Sequence, residues 1–455
     1  MQHISELSDT ICAPATGGGV GAIAVIRVSG NDAIQIVNSV FKGKNLTEQP
    51  SHTIHFGKIV SNGKTIDEVL ASVFVAPRSY TGEHTLELSC HGSPYIQQQI
   101  LEALINAGCR MAKPGEFTLR AFLNKKLDLA QAEAVADLIA SHSEESHRTA
   151  MNQMRGGFSK QIAAMRERLV NFASLIELEL DFAEEDVEFA QRDELRLLVN
   201  ELLDTIYALK STFQYGNAIK NGIPTVIAGK PNAGKSTLLN ALVNDERAIV
   251  SEIAGTTRDT IEEAFVIDGI AFRLIDTAGI RSNTNDQIEA IGIERTMDKI
   301  QKASIILYVF DATQTTEDEL EKELKTFEGL NAIIIPVANK IDLAGNHQHA
   351  ANYEIVRISA KTNAGIDTLK NRLIEAVKKD EVKNDVIITN LRHYEALNNA
   401  AESLQLVING LQQHITGELL AFDIRKALLH LGEITGEVTT DDLLANIFSK
   451  FCIGK

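Results

Sequence analysis

Residues 229–236 read Gly229-Lys-Pro-Asn-Ala-Gly234-Lys235-Ser236. The pattern is G-x-x-x-x-G-K-S, and its flanks suit a phosphate-binding loop. An apolar run, Pro224 to Ala228, precedes it, and a helical pattern, Thr237 to Val243, follows. In a strand–loop–helix of this kind the glycines let backbone N–H groups close around β- and γ-phosphates. Lys235 adds positive charge, and the Ser236 hydroxyl can ligate Mg²⁺.

Further segments follow in the order a nucleotide-binding α/β domain requires. Ala271-Phe-Arg-Leu-Ile-Asp276-Thr277-Ala278-Gly279 is an apolar strand ending in D-x-x-G. Asp276 is expected to reach Mg²⁺ through water, and the Gly279 N–H to meet the γ-phosphate. Ser304 to Asp311 and Ala332 to Ala338 are apolar runs of the kind that form buried parallel strands. The second ends in Asn339-Lys340-Ile341-Asp342, and Tyr353 to Ile358 then leads into Ser359-Ala360-Lys361.

N-K-x-D selects GTP over ATP. The two oxygens of Asp342 match the N1–H and N2–H₂ donors of guanine, which adenine lacks on that edge. An acceptor left unpaired costs about 1–3 kcal/mol. The Ala360 N–H is expected to meet O6. Between the phosphate loop and D-x-x-G lies Ser251-Glu252-Ile253-Ala254-Gly255-Thr256-Thr257-Arg258-Asp259. One threonine hydroxyl here should complete the Mg²⁺ shell when the γ-phosphate is present, and Thr257 is assigned that role; such loops order with GTP and relax after hydrolysis. The residues expected to line the GTP site are therefore Asn232, Ala233, Gly234, Lys235, Ser236 and Thr237, the loop 251–257, Asp276 to Gly279, Asn339, Lys340, Asp342, and Ser359 to Lys361. In Ras-like GTPases a glutamine after D-x-x-G orients the attacking water. Here that position is Ile280, so the water must be held otherwise, and Glu289 and Glu294 offer carboxylates downstream.

The four cysteines, Cys12, Cys90, Cys109 and Cys452, form no C-x-x-C pair, so neither a zinc site nor a disulfide framework is indicated. Cys452 stands in Phe451-Cys452-Ile453-Gly454-Lys455, and Gly454 and Lys455 fit a prenylation signal poorly. An exposed cysteine near Lys455 can instead act as a thiolate nucleophile. The segment before it, Thr439-Thr-Asp-Asp442, reads as a capping box opening a helix.

The chain is 455 residues long, without tryptophan and without an apolar run near 18 residues. That length suits about three domains, and no transmembrane helix is expected. The start, Met1 to Thr10, is neither a transit presequence nor a signal peptide, so a cytoplasmic bacterial protein is expected. Residues 1–118 mix strand runs (Ala22 to Val28, Thr53 to Val60, Glu68 to Phe74, His84 to Cys90) with a helix near Tyr95 to Ala107, an α+β domain. Helices dominate 119–216, where Met151, Met154, Phe158, Ile162, Met165, Leu169, Phe172 and Ile176 lie along one long amphipathic helix. Residues 217–380 form the GTPase segment. The tail 381–455 carries further amphipathic helices and is marginal alone, so it should join 119–216 as one discontinuous helical domain with the GTPase segment inserted. The expected architecture is multidomain α/β and α: an α+β N-terminal domain, a discontinuous helical domain and an inserted P-loop (Ras-like) GTPase domain.

The whole chain resembles the bacterial tRNA-modification GTPases of the MnmE (TrmE) family. The resemblance is carried by Asn232 in the phosphate loop, Gly255-Thr-Thr-Arg-Asp259, Asp276-Thr-Ala-Gly279 and an apolar residue after it. Tyr80-Thr-Gly-Glu83, Pro114-Gly-Glu-Phe117, Ala121-Phe-Leu-Asn124 and the terminal Phe451 to Lys455 complete it. The resemblance implies that G domains dimerise on GTP binding and use K⁺, held by the Asn232 side chain and backbone oxygens of Ser251, Ile253 and Thr256. An arginine finger in that position supplies about 10³–10⁵ in rate. It implies Glu289 as the water-orienting residue and Cys452 as a residue required for tRNA modification. It further implies a folate-like, dimerising N-terminal domain that binds 5-formyltetrahydrofolate through Arg27, Glu87, Lys126 and Lys455. A carboxylate there can pair with the pterin amino edge and basic groups with the folate glutamate. The glycine-rich stretch Thr16 to Gly21 has no dinucleotide fingerprint spacing.

The net charge is −17, and Glu177 to Glu188 holds seven carboxylates and no base. Such a chain grips nucleic-acid phosphates poorly, so a partner should supply much of the hold on a tRNA substrate. The resemblance implies that partner to be MnmG, an FAD-containing protein, in a heterotetramer that adds an aminomethyl or carboxymethylaminomethyl group at carbon 5 of wobble uridine. The competing class is a regulatory switch GTPase in ribosome assembly with no covalent chemistry. The terminal cysteine and the folate-like domain argue against it.

Overall fold

The computed structural model describes residues 8–181, 191–245, 263–275, 303–330, 332–344, 353–378 and 386–455. The chain forms two compact units. One comprises residues 1–139, 153–191 and 410–455, the other 140–152 and 192–409.

The first unit is built on a mixed sheet of β1 (Ile11–Pro14), β2 (Ile23–Ser29), β3 (Phe41–Lys42), β4 (Thr53–Ser61), β5 (Lys64–Phe74), β6 (Thr85–His91) and β7 (Arg110–Met111), in the order β3-β4-β5-β6-β2-β1-β7. Alternation along the central strands divides two faces. Ala24, Ile26 and Val28 of β2 and Leu86, Leu88 and Cys90 of β6 are buried against Ile34 and Val37 of the helix Ala33–Val40 and Ile100 and Leu104 of the helix Pro94–Asn106. The odd-numbered residues, Arg27 and Glu87 among them, point the other way.

The expected single helix through Met151 and Ile176 is two helices, Glu144–Met154 and Gly157–Asp181. Gly156 takes φ +80°, a left-handed conformation that ends a helix rather than continuing one. The periodicity survives the break: Phe158, Ile162, Met165, Leu169 and Ile176 are all buried. The helix Asp441–Phe448 is capped by Thr440, one residue later than the expected capping box. Its side chain accepts from the Leu443 N–H, and leucine at that third position cannot return the bond.

The second unit holds a six-stranded sheet of β8 (Ile223–Ala228), β9 (Glu263–Ile267), β10 (Ile270–Leu274), β11 (Ile305–Asp311), β12 (Ile333–Asn339) and β13 (Val356–Arg357), ordered β13-β12-β11-β8-β10-β9. Among the described residues only the β9–β10 pair of this sheet is antiparallel. Both faces are covered, which is why β8 and β11 read as continuous apolar runs. Leu238, Leu239 and Leu242 of the helix Lys235–Asp245 and Leu369 and Leu373 of the helix Ile366–Lys378 pack on one side. Leu320 and Leu324 of the helix Glu317–Leu324 pack on the other. The run expected from Tyr353 to Ile358 pairs as a strand over Val356–Arg357 alone.

Candidate functional site

The phosphate loop joins β8 to the helix Lys235–Asp245. Gly229, Asn232 and Gly234 take φ of +139°, +62° and +93°. Close packing makes the glycines obligatory: a Cβ on Gly229 would lie 2.0 Å from the Val309 carbonyl oxygen, and one on Gly234 2.2 Å from Asn339 Nδ2. Lys235 Nζ donates to the carbonyls of Gly229 (2.7 Å) and Lys230 (2.8 Å), so its ammonium lies inside the curve of the loop. Burial pushes its pKa down. Ser236 and Thr237 stand exposed in the first turn of the helix.

The ends of β12 and β13 meet this loop. Asn339 is 3% exposed, and its Nδ2 donates to the Ala233 carbonyl (2.8 Å). Its Oδ1 accepts from the backbone N–H groups of Lys340 (2.8 Å) and Ala360 (3.0 Å). One buried amide thus ties the phosphate loop to both segments assigned to guanine. Asp342 and Lys361 are exposed, and Ser359 N–H donates to Ala364 O (2.8 Å), closing the loop that carries Ala360. These groups fit a guanine nucleotide with Mg²⁺: N–H donors and an ammonium at the phosphate end, Ser236 for the metal, and a solvent-facing carboxylate at the base end. Of the other expected residues, Ser251, Glu252, Ile253, Ala254, Gly255, Thr256, Thr257, Asp276, Thr277, Ala278, Gly279 and Glu289 lie outside the described residues.

A second cluster sits in the first unit. Arg27 and Glu87 are register partners across β2 and β6, with Nη2 2.8 Å and Nε 3.0 Å from Glu87 Oε1. Tyr80 and Phe117 present their rings to the guanidinium, with centroids 5.3 and 5.6 Å away. Arg27 Nη1 donates to the Gly454 carbonyl (3.3 Å), which brings the C-terminal segment onto this sheet. The segment is held at two glycines. Gly115 N–H donates to Cys452 O (3.3 Å), and a Cβ on Gly454 would lie 2.0 Å from Pro14 O. Cys452 is the one exposed cysteine; Cys12, Cys90 and Cys109 are buried. Burial first, then the neighbouring Arg27, push the Lys455 pKa down. Lys126 is exposed, and its loop is tied to the Tyr80–Glu83 stretch by Asn124 Nδ2 donating to Thr81 O (2.8 Å).

Sequence reading missed the ion cluster beneath this site. Arg120, 1% exposed, donates to Glu116 (3.1 Å), Asp9 (2.8 Å) and Glu83 (3.2 Å), and Arg110 adds a bond to Glu116 (2.6 Å). Its signal was present, because Glu83 and Glu116 belong to Tyr80-Thr-Gly-Glu83 and Pro114-Gly-Glu-Phe117.

A mostly parallel sheet covered on both faces, with a phosphate loop after β8 and Asn339-Lys-Ile-Asp342 after β12, defines a P-loop GTPase. Residues 10–126 match the family described as the GTP-binding protein TrmE N-terminus, and residues 129–452 the MnmE helical domain. The tRNA modification GTPase MnmE of Christiangramia forsetii is 55% identical, over 99% of this chain and 100% of that one. Those of Cytophaga hutchinsonii (99% and 99%) and Bacteroides fragilis (98% and 99%) are 53% and 51% identical. The chain belongs to the tRNA modification GTPase MnmE family, and it is a GTP-hydrolysing enzyme of tRNA modification. Among the described residues no helix is long and apolar enough to cross a membrane.

Proposed function

We propose that the chain acts with the FAD-containing MnmG to modify carbon 5 of wobble uridine in certain tRNAs, adding an aminomethyl or carboxymethylaminomethyl group. The observation that carries this reading is the seating of the C-terminal segment on the N-terminal sheet. Arg27 holds Glu87 and the Gly454 carbonyl at once, and this sets the exposed Cys452 beside the residues assigned to a folate. A switch that only binds and releases GTP needs neither group.

In this reading 5-formyltetrahydrofolate is the one-carbon ligand of the first unit. Glu87 offers an acceptor to the pterin amino edge, and Lys126 and Lys455 offer positive charge to the folate carboxylates. Chains pair through their N-terminal domains and assemble with MnmG as a heterotetramer in the cytoplasm. The domains run 1–118, 119–216 with 381–455, and 217–380. In the GTPase domain Lys235 and the loop N–H groups bind the phosphates, Asp342 binds the base, and Ser236 and Thr257 hold Mg²⁺. Asn232, with Ser251, Ile253 and Thr256, holds K⁺ when two G domains meet, and Glu289 orients water. A bound cation would supply the charge that an arginine finger gives elsewhere. Asn232 is exposed and has a left-handed backbone, φ +62°, which supports that assignment.

The test is mass spectrometry of wobble-uridine nucleosides in tRNA from cells lacking the gene. The carbon-5 aminomethyl-type groups should vanish, return with the wild-type chain, and stay absent with Cys452→Ser. Their persistence in the deletion would overturn the reading.

A further inference from the structure

We infer that Asp311 is a positioning residue for the nucleotide site, acting through Lys340. The inference rests on the reading of Asn339 to Asp342 as the guanine-binding segment. Asp311 closes β11, and its register partner on β12 is Asn339. Its Oδ2 accepts from Lys340 Nζ at 2.7 Å. Its Oδ1 accepts from the Thr313 backbone N–H (2.9 Å) and hydroxyl (2.6 Å). The carboxylate is therefore oriented by its own strand end as well as by Lys340. Its side chain is 13% exposed against 32% for Lys340, so the pair is only partly screened by solvent. Burial works to raise the Asp311 pKa, yet the bonds from Lys340 and Thr313 hold it below the usual carboxylate range.

Lys340 needs such an anchor. Its backbone takes φ +66°, a left-handed conformation that a lysine adopts at a cost. From there the chain turns so that Leu343 N–H returns to Lys340 O (2.9 Å), and this turn carries Asp342 outward. Asn339 fixes the turn on the phosphate-loop side through Ala233 and Ala360. Asp311 fixes it on the other side by holding the lysine side chain. Without Asp311 the ammonium is free to swing, and the turn loses the tether that offsets its backbone strain.

The experiment uses the full chain and fluorescent GDP and ADP analogues, with affinities and release rates measured for wild type, Asp311→Asn, Lys340→Met and the double variant. Asparagine at 311 can still accept from Thr313 but turns an N–H toward the ammonium. The substitution removes a charge-assisted bond, so Asp311→Asn should weaken GDP binding by at least about tenfold, through faster release. In the Lys340→Met background the same change should alter affinity less than about twofold, because the two side chains act as one unit. Far-UV circular dichroism reports whether each variant folds. Binding by Asp311→Asn within twofold of wild type overturns the inference. So does a tenfold loss that persists in the Lys340→Met background, which marks a purely structural role. Equal binding of GDP and ADP by wild type instead removes the guanine-site reading, and the inference with it.

Discussion

Arg27 and Glu87, sixty positions apart in the sequence, are direct partners across β2 and β6 and close an ion pair of 2.8 Å. The pair is partly buried, and Tyr80 and Phe117 wall the guanidinium. Removing the carboxylate leaves a cation that has lost its partner. Glu87→Ala should weaken 5-formyltetrahydrofolate binding by about tenfold or more, the value of a bond to a charged group. Isothermal titration calorimetry checks this, and unchanged affinity would remove Glu87 from the folate site.

Gly454→Ala should release the C-terminal segment. The new methyl would meet Pro14 O at 2.0 Å, and the residue already sits at φ +93°. Wobble-uridine modification should fall as far as with Cys452→Ser, although the cysteine is intact. GDP binding should match wild type. Full modification by this variant would mean that the docked tail is dispensable.

Gly234→Ala should abolish tight nucleotide binding. Its Cβ would lie 2.2 Å from Asn339 Nδ2, the atom that ties the phosphate loop to the base-binding turn. Breaking that buried bond costs about 1–3 kcal/mol, an affinity loss of about fivefold to a hundredfold by equilibrium titration.

Potassium should accelerate GTP hydrolysis over sodium by at least about tenfold if the cation replaces an arginine finger. Asn232→Ala should erase the difference. Equal rates in the two salts for wild type would rule the cation out as a catalytic element.

Acid should weaken the first unit through Glu116 and Asp9. Burial opposes ionisation of Glu116, but Arg110 and Arg120 hold its pKa below the usual value, and Arg110 does the same for Asp9. A carboxylate with a depressed folded pKa contributes stability above its unfolded pKa, about 4. That contribution is lost as pH falls through the folded pKa. Arg120→Met removes one of the two guanidinium partners of buried Glu116, with Arg110 still bound, and should cost about 1.5–3 kcal/mol at pH 7. Thermal melts from pH 7 to pH 3 should show the gap between variant and wild type closing below about pH 4.

The phosphate loop and the segments after β12 and β13 were legible because they are short contiguous loops at strand ends, so strand patterning placed them in order. Asp311 escaped notice since a charged residue closing an apolar strand reads as an ordinary strand end; only the register with Asn339 gives it a role. The Arg27–Glu87 pair entered through family resemblance, because strand register is a long-range property that spacing does not encode. The motifs held two members of the Arg120 cluster, Glu83 and Glu116, but its pairings were hidden for the same reason, being drawn from residues 9, 83, 110, 116 and 120. The break at Gly156 was masked by an apolar periodicity that continues in phase across it.

The first unit draws on three stretches of chain, the last of them residues 410–455. During synthesis the GTPase sheet, whose final strand ends at Arg357, leaves the ribosome well before Gly454 and Cys452 can reach Pro14 and Gly115. A ribosome that stops between these points releases a chain with all the described strands of its GTPase sheet but without Cys452. Such a fragment would keep the nucleotide-binding loops yet lack the residue proposed for the modification, so dominant interference is the phenotype to look for in nonsense alleles between these positions.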